Sequence, residues 1–219
     1  MPTHFSVTVL DGKHGLKLTQ ENYAIVNNKN SLVPFQNITY TDKEGIYYSD
    51  EWCAKHLDDC LKNFDLNMKF FSTLNRKEFN TSITTFLKKH QRFRQISGLN
   101  ICAGKSGYYM MVLDEYCQLY SGTTNDIMRR IRQHWSSSKA FDRLLFPIGA
   151  VDTSILSVDS FRAYDTTRIY AYITPDTYER EDNYISYFPA KFVCNRITGG
   201  KITGGLLQAI PMKKQRPLK

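Results

Sequence analysis

Residues 107–135 read GYYMMVLDEYCQLYSGTTNDIMRRIRQHW, and their pattern decides the fold. Tyr108 to Leu113 and Gln118 to Ser121 are β-prone runs, and Asp114-Glu115-Tyr116-Cys117 joins them as the turn of a hairpin. Thr123-Thr124-Asn125-Asp126 then offers capping side chains ahead of a helix over Ile127 to Trp135. The hairpin sets Tyr109 and Tyr120 on neighbouring strands, where cross-strand side chains converge. A spacing of four sets Arg130 and His134 on one helical face. Tyr108 and Ser121 occupy the alternate strand positions and point away from the two tyrosines. Two phenols, a guanidinium and an imidazole beside a helix start suit a phosphodiester. Arginine forks onto phosphate oxygens, and phenol or imidazole can take or relay a proton.

Downstream, Arg168 to Ile173 reads as a strand ending before Pro175, and Glu179 to Phe188 as a helix stopped at Pro189. A doubled Ile-Thr-Gly-Gly over 197–205 follows, too short for a solenoid repeat, and then a basic tail with Lys213, Lys214 and Arg216. Upstream, Ser97-Gly98 and Gly104-Lys105-Ser106-Gly107 read as a linker. The expected organisation is therefore a region 1–98, a unit 99–205 and a tail 206–219. In the first region Phe5 to Leu10 is β-prone and Asp11-Gly12 is a turn signal. Asp50 to Phe64 and Glu78 to Arg92 carry apolar residues at helical spacing. The run Lys88-Lys89-His90-Gln91-Arg92-Phe93-Arg94 reads either as a solvated helix end complementing the dipole or as a phosphate contact.

The 219 residues allow one large domain or two small ones. Apolar content of 42% and charged content of 23% are ordinary globular values, which excludes a disordered or collagenous chain. No apolar run approaches the roughly 20 residues of a membrane-spanning helix. The start lacks the order of a secretory leader. The net charge of +8 divides evenly between the halves of the chain and suits an anionic partner such as nucleic acid. Cys53, Cys60, Cys102, Cys117 and Cys194 are odd in number and irregularly spaced, which argues against a disulfide framework or zinc ribbon and for a reducing cytosol. Trp52, Cys53, His56 and Cys60 fall on one helical face, read as small buried residues with a surface histidine in preference to a metal site.

The hairpin and its helix resemble the GIY-YIG nuclease family. That pattern has a Gly-[Ile/Val]-Tyr strand, a Tyr-[Ile/Val]-Gly strand, and a helix with Arg eight residues after the second glycine. Here Gly107-Tyr108-Tyr109 and Tyr120-Ser121-Gly122 stand in the strands, Arg130 is eight after Gly122, and His134 is four after Arg130. The family then places a glutamate on a later helix, followed by an apolar pair, a proline, an asparagine and often two glycines. Glu181, Tyr184-Ile185, Pro189, Asn195 and Gly199-Gly200 follow in that order. The resemblance spans about residues 105–205. Tyr108 and Ser121 depart from the family's middle aliphatics, a change of packing more than of chemistry. Glu179 competes with Glu181, but on a helix the two point about 200° apart, and Ile185 lies one turn beyond Glu181 as the pattern asks. Two literal matches are set aside. Gly45-Ile46-Tyr47 is followed by no Tyr-x-Gly strand with arginine at the right distance. Ala103-Gly104-Lys105-Ser106 lacks the glycine that a P-loop needs five before Gly104, where Leu99 stands.

The resemblance implies an α/β (α+β) fold: a small domain with a central antiparallel three-stranded sheet flanked by helices, preceded by a separate α+β region. It implies a metal-dependent DNA endonuclease with Tyr109, Tyr120, Arg130, His134 and Glu181 as catalytic residues and Gly107, Gly122 and Asn195 in support. Glu181 would hold one Mg²⁺ or Mn²⁺. Tyr109 would take a proton from the attacking water, Arg130 would brace the phosphate oxygens, and Tyr120 and His134 would position water or phosphate or share the transfer. Cleavage would leave a 5′-phosphate and a 3′-hydroxyl. A phenol with an ordinary pKa of about 10 is a poor base at neutral pH, so Arg130 and the metal must lower it. The expected partner is DNA, with RNA as an open alternative, in the cytoplasm and away from membranes. The competing reading is a nucleic-acid-binding protein that keeps this fold without turnover.

Overall fold

A computed structural model describes residues 1–12, 15–25, 50–137, 144–145, 151 and 154–195. Gly45-Ile46-Tyr47, the doubled Ile-Thr-Gly-Gly segment, the basic tail and the side chains of Trp52 and Cys53 lie outside the described residues. The fold is mixed α+β.

The chain begins with a tight hairpin, β1 (Thr3–His4) and β2 (Val7–Thr8), followed by α1 (Gln20–Ile25), α2 (Asp50–Ser72) and α3 (Arg76–Lys89). Next come β3 (Arg94–Ile96), β4 (Gly107–Leu113), β5 (Gln118–Thr124), α4 (Ile127–Ser136), β6 (Arg168–Ile173) and α5 (Glu181–Ser186). The main sheet is antiparallel with order β3-β6-β4-β5. It has four strands, one more than the expected three. The extra strand comes from Arg94, Gln95 and Ile96, a stretch too short and too charged to announce a strand by alternation.

β4 sits between two partners, and all seven of its residues are buried. Side chains alternate between the faces of a strand, so β4 feeds two cores at once. Tyr109, Met111 and Leu113 face one core, with Ile127 and Ile131 of α4, Phe64 and Phe71 of α2, and Val7 and Val9 near β2. Tyr108, Met110 and Val112 face the other, with Phe79, Ile83 and Phe86 of α3 and Tyr184 and Ile185 of α5. The described part of residues 1–98 thus contributes to both cores, and the expected boundary at 98 falls between two strands of one sheet.

Phe5 to Leu10 is not one strand. Phe5 and Ser6 form the tip of the first hairpin at φ 45° and 59°, the positive values that a two-residue turn of this kind demands. The Phe5 carbonyl accepts a hydrogen bond from Leu99 N–H at 2.8 Å, which ties this tip to the segment ahead of β4. The second predicted helix ends at Lys89, with His90 as its cap, so the basic run divides among a helix end, a turn and β3. His56 is not at the surface: it is 4% exposed, and its Nε2 lies 3.6 Å from the Cys60 sulfur. Among the described residues no helix is long and apolar enough to cross a membrane.

Candidate active site

The register of β4 on β5 sets Tyr109 opposite Gly122 and Met111 opposite Tyr120. Tyr109 and Tyr120 are therefore diagonal neighbours on one face, with ring centroids 6.1 Å apart. Both motif glycines have a steric reason. A Cβ on Gly122 would lie 2.6 Å from the Tyr109 hydroxyl oxygen, so the ring rests directly on the glycine backbone. Gly107 has φ +151°, and a Cβ there would lie 2.1 Å from the Tyr172 carbonyl on β6. Only glycine permits either arrangement.

α4 begins immediately after β5. The Asp126 carboxylate accepts from Arg129 N–H at 2.9 Å and caps the helix. Ile127, Ile131 and Trp135 are buried and seat the helix on the sheet, which turns His134 inward. Its Nε2 lies 2.8 Å from the Tyr109 hydroxyl and its Nδ1 lies 2.6 Å from Asp159 Oδ1. An ionised carboxylate only accepts, so Nδ1 carries the proton shared with Asp159. For neutral imidazole, Nε2 is then the acceptor for the Tyr109 O–H. The Arg130 guanidinium, on the same helical face, lies close enough for its charge to act on both the Tyr109 and the Tyr120 phenols. The Tyr120 ring meets the His134 ring edge-on at 4.9 Å between centroids.

Asp159, in a single turn of 3₁₀ helix over Val158–Ser160, is a member of this cluster that the sequence reading missed. It lies 25 residues beyond His134, and no local motif marks it. The turn is itself braced. Arg162 is 1% exposed, and its Nη1 donates to the Ser137 carbonyl at 3.1 Å and the Asp159 carbonyl at 3.2 Å. The Asp159 turn is thereby fastened to the end of α4.

Glu181 opens α5 and is 8% exposed, whereas Glu179 lies before the helix and is exposed. The charge of Glu181 acts on both Tyr120 and Tyr109. Arg130, Tyr109, Tyr120, His134 and Glu181 are thus brought into one electrostatic cluster. Asn195 has another place. Its Oδ1 accepts from Ser121 N–H at 3.1 Å and its Nδ2 donates to the Ser121 carbonyl at 2.7 Å, as a paired strand residue would. It closes the outer edge of β5 beside a parallel bridge between Leu119 and Val193.

Burial pushes the Tyr109 phenol well above its ordinary pKa, Tyr120 and Glu181 push the same way, and Arg130 opposes them. Burial, with Glu181 second, raises Tyr120 to about 12. The expected lowering of Tyr109 by Arg130 is present as a pull but is outweighed by desolvation. Burial works against the Arg130 charge, yet the two phenols and Asp159 leave its pKa raised.

No family model, curated protein or solved structure matches this chain.

The donor set can be tested against a divalent cation. Among the described residues no group of three or more His, Cys, Asp and Glu side chains is arranged around a common point. A hard cation such as Mg²⁺ does not need one, because it keeps several waters and binds through one or two carboxylates plus phosphate. Glu181, a largely buried carboxylate beside two phenols, fits that role.

Proposed function

We propose that the chain is a divalent-metal-dependent DNA endonuclease of the GIY-YIG type, acting through Tyr109, Tyr120, Arg130, His134 and Glu181. The observation that carries this reading is the hydrogen-bonded series Asp159–His134–Tyr109, with the Arg130 charge acting on the same phenol. Such a series gives a phenol somewhere to send its proton. A Tyr109 that stays protonated at neutral pH becomes a competent base by passing its own proton to His134 Nε2 as it accepts one from water. Asp159 stabilises the imidazolium that results. The attacking water forms the new P–O bond, the P–O3′ bond breaks, and the sugar oxygen leaves as an oxyanion that takes a proton from solvent to give a 3′-hydroxyl and a 5′-phosphate.

Arg130 is exposed and meets the non-bridging oxygens as charge builds on them. Glu181 would hold one Mg²⁺ or Mn²⁺, which supplies Lewis-acid stabilisation of the phosphate. Tyr120, half-buried at the edge strand, orients the water or the phosphate. Gly107, Gly122 and Asn195 hold the strands in register.

A second reading, a nucleic-acid-binding protein without turnover, draws on one observation: Tyr109 is 0% exposed, so water must displace a neighbour to reach it. Incubation of supercoiled plasmid with Mg²⁺ or Mn²⁺ decides between them. Nicking or linearisation by the wild-type protein, abolished in Glu181→Ala, is the expected result. DNA binding without cleavage by either protein would establish the second reading, and equal cleavage by both would remove Glu181 from the site.

A further inference from the structure

The basic run at the end of α3 has no role in the cluster above, yet the fold leads it back there. Arg180 directly precedes Glu181, and its backbone N–H donates to the Tyr108 hydroxyl at 3.2 Å. Tyr108 stacks on Tyr172 of the neighbouring strand at 5.9 Å between centroids. The Tyr172 hydroxyl in turn accepts from Arg92 Nη1 at 2.8 Å, and the Arg92 guanidinium carbon lies 5.6 Å over the Tyr172 ring. Lys89, in the same basic run, sets its ammonium 5.2 Å over the Tyr187 ring. Arg180, Arg92 and Lys89 are exposed, and the Arg180 charge acts on Tyr172 and Tyr184, so the three cations border one aromatic cluster of Tyr108, Tyr172, Tyr184 and Tyr187, with Arg180 directly before Glu181. Among the described residues, the carboxylate that acts on Arg92 is Asp176.

Three features make this series more than a solvated helix end. The aromatic rings hold Arg92 and Lys89 in place, which reduces the ordering cost of binding. Arg92 commits one of its five N–H donors to Tyr172, and its planar fork suits phosphate. The rings themselves are covered by cations, so the surface offers charge instead of a stacking platform for bases.

We infer that Arg180, Arg92 and Lys89 form a track for the DNA phosphate backbone flanking the scissile phosphate on the Glu181 side. This rests on the nuclease reading, and it adds where the duplex lies and that contact is independent of sequence. Each neutralised phosphate releases counterions, so the track has a salt signature of its own.

The test is fluorescence anisotropy with a short labelled DNA duplex, in EDTA to prevent cleavage, across a KCl series. Lys89→Gln/Arg92→Gln should bind more weakly at every salt concentration. Its slope of log affinity against log salt should be shallower than wild type by about two, roughly one per lost phosphate contact. Arg92→Lys should keep the wild-type slope, because a point charge still meets a phosphate; a purely structural role for the Tyr172 bond predicts that it behaves like Arg92→Gln. Circular dichroism checks folding, and Lys89→Gln/Arg92→Lys, expected to lose about one unit of slope, stands in for a double variant that misfolds. Wild-type affinity and slope in the double variant would overturn the track while leaving plasmid cleavage standing. Wild-type protein that neither binds duplex nor cuts plasmid would overturn both.

Discussion

At the scale of single residues, the cluster depends on the protonation of His134, and that is set by a carboxylate far away in sequence. Asp159 holds Nδ1–H, so Nε2 is left to accept from Tyr109. Asp159→Asn should break this. An amide can donate to Nδ1, which favours the tautomer with the proton on Nε2 and removes the acceptor that Tyr109 needs. The expected loss in cleavage rate is about 10²–10⁴-fold, the usual range for general acid–base assistance. Duplex affinity and thermal midpoint should stay near wild type, because Arg162 still fastens the turn through the backbone carbonyl of residue 159. A fall in melting temperature that tracks the loss of activity would make Asp159 a structural brace. The residues of this cluster were unevenly legible. Tyr109, Tyr120, Arg130 and His134 lie within one continuous stretch, where strand alternation and helical spacing fix which side chains meet. Asp159 and Arg162 lie beyond that stretch, in and beside short 3₁₀ turns that carry no periodic signal.

At the scale of elements, the helix that carries Arg130 and His134 is short and polar on its outer face, so its start and its buried stripe have to hold it. The Asp126 cap and the turn at Thr124, whose hydroxyl accepts from Asp126 N–H at 3.2 Å, fix where α4 leaves β5. Asp126→Ala should cost about 0.5–2 kcal/mol in urea unfolding, the usual range for a lost cap. Because the first turn positions Arg130, cleavage should fall more than stability alone explains. Asp126→Ser, which restores an N-terminal cap, should recover both; failure of serine to rescue would assign the loss to the charge of Asp126 instead of the cap. The elements also show why β4, β5, α4 and β6 were readable and β3 was not. The first four announce themselves by β-prone runs, capping residues or a following proline. β3 is three residues long, two of them exposed, and is a strand only because β6 presents an open edge to it. The α3 end was misplaced for a related reason: Phe93 continues the apolar spacing of the helix, but it packs beside Phe86 and Tyr184 from the turn after the helix.

At the scale of the molecule, the question is whether residues 99–219 can stand alone, as the linker glycines suggest. β4 is covered on one face by α3 and on the other by α2 and the first hairpin, all of which precede residue 98. The attachment is polar as well as apolar. Asp165 accepts from Leu18 N–H at 2.9 Å and from the Tyr116 hydroxyl at 2.9 Å, so one buried carboxylate joins the N-terminal segment to the β4–β5 turn. His4 Nε2 lies 2.7 Å from the Thr166 carbonyl, 162 residues along the chain. A fragment starting at residue 99 would expose Tyr108, Met110 and Val112 to water and leave β6 with an unpaired edge. Each large apolar side chain so exposed loses about 1.5–3 kcal/mol of burial, and a domain's whole stability is about 5–15 kcal/mol. Residues 99–219 expressed alone should therefore fail to fold, with collapsed amide dispersion in the NMR spectrum and no cleavage of plasmid. Co-expression with residues 1–98 should restore both, since the lost surface is supplied by a separate chain. A 99–219 fragment with dispersed amide signals and a cooperative unfolding transition would instead show that the sheet closes without β3 and α3, and would leave residues 1–98 as the separate region expected from the sequence.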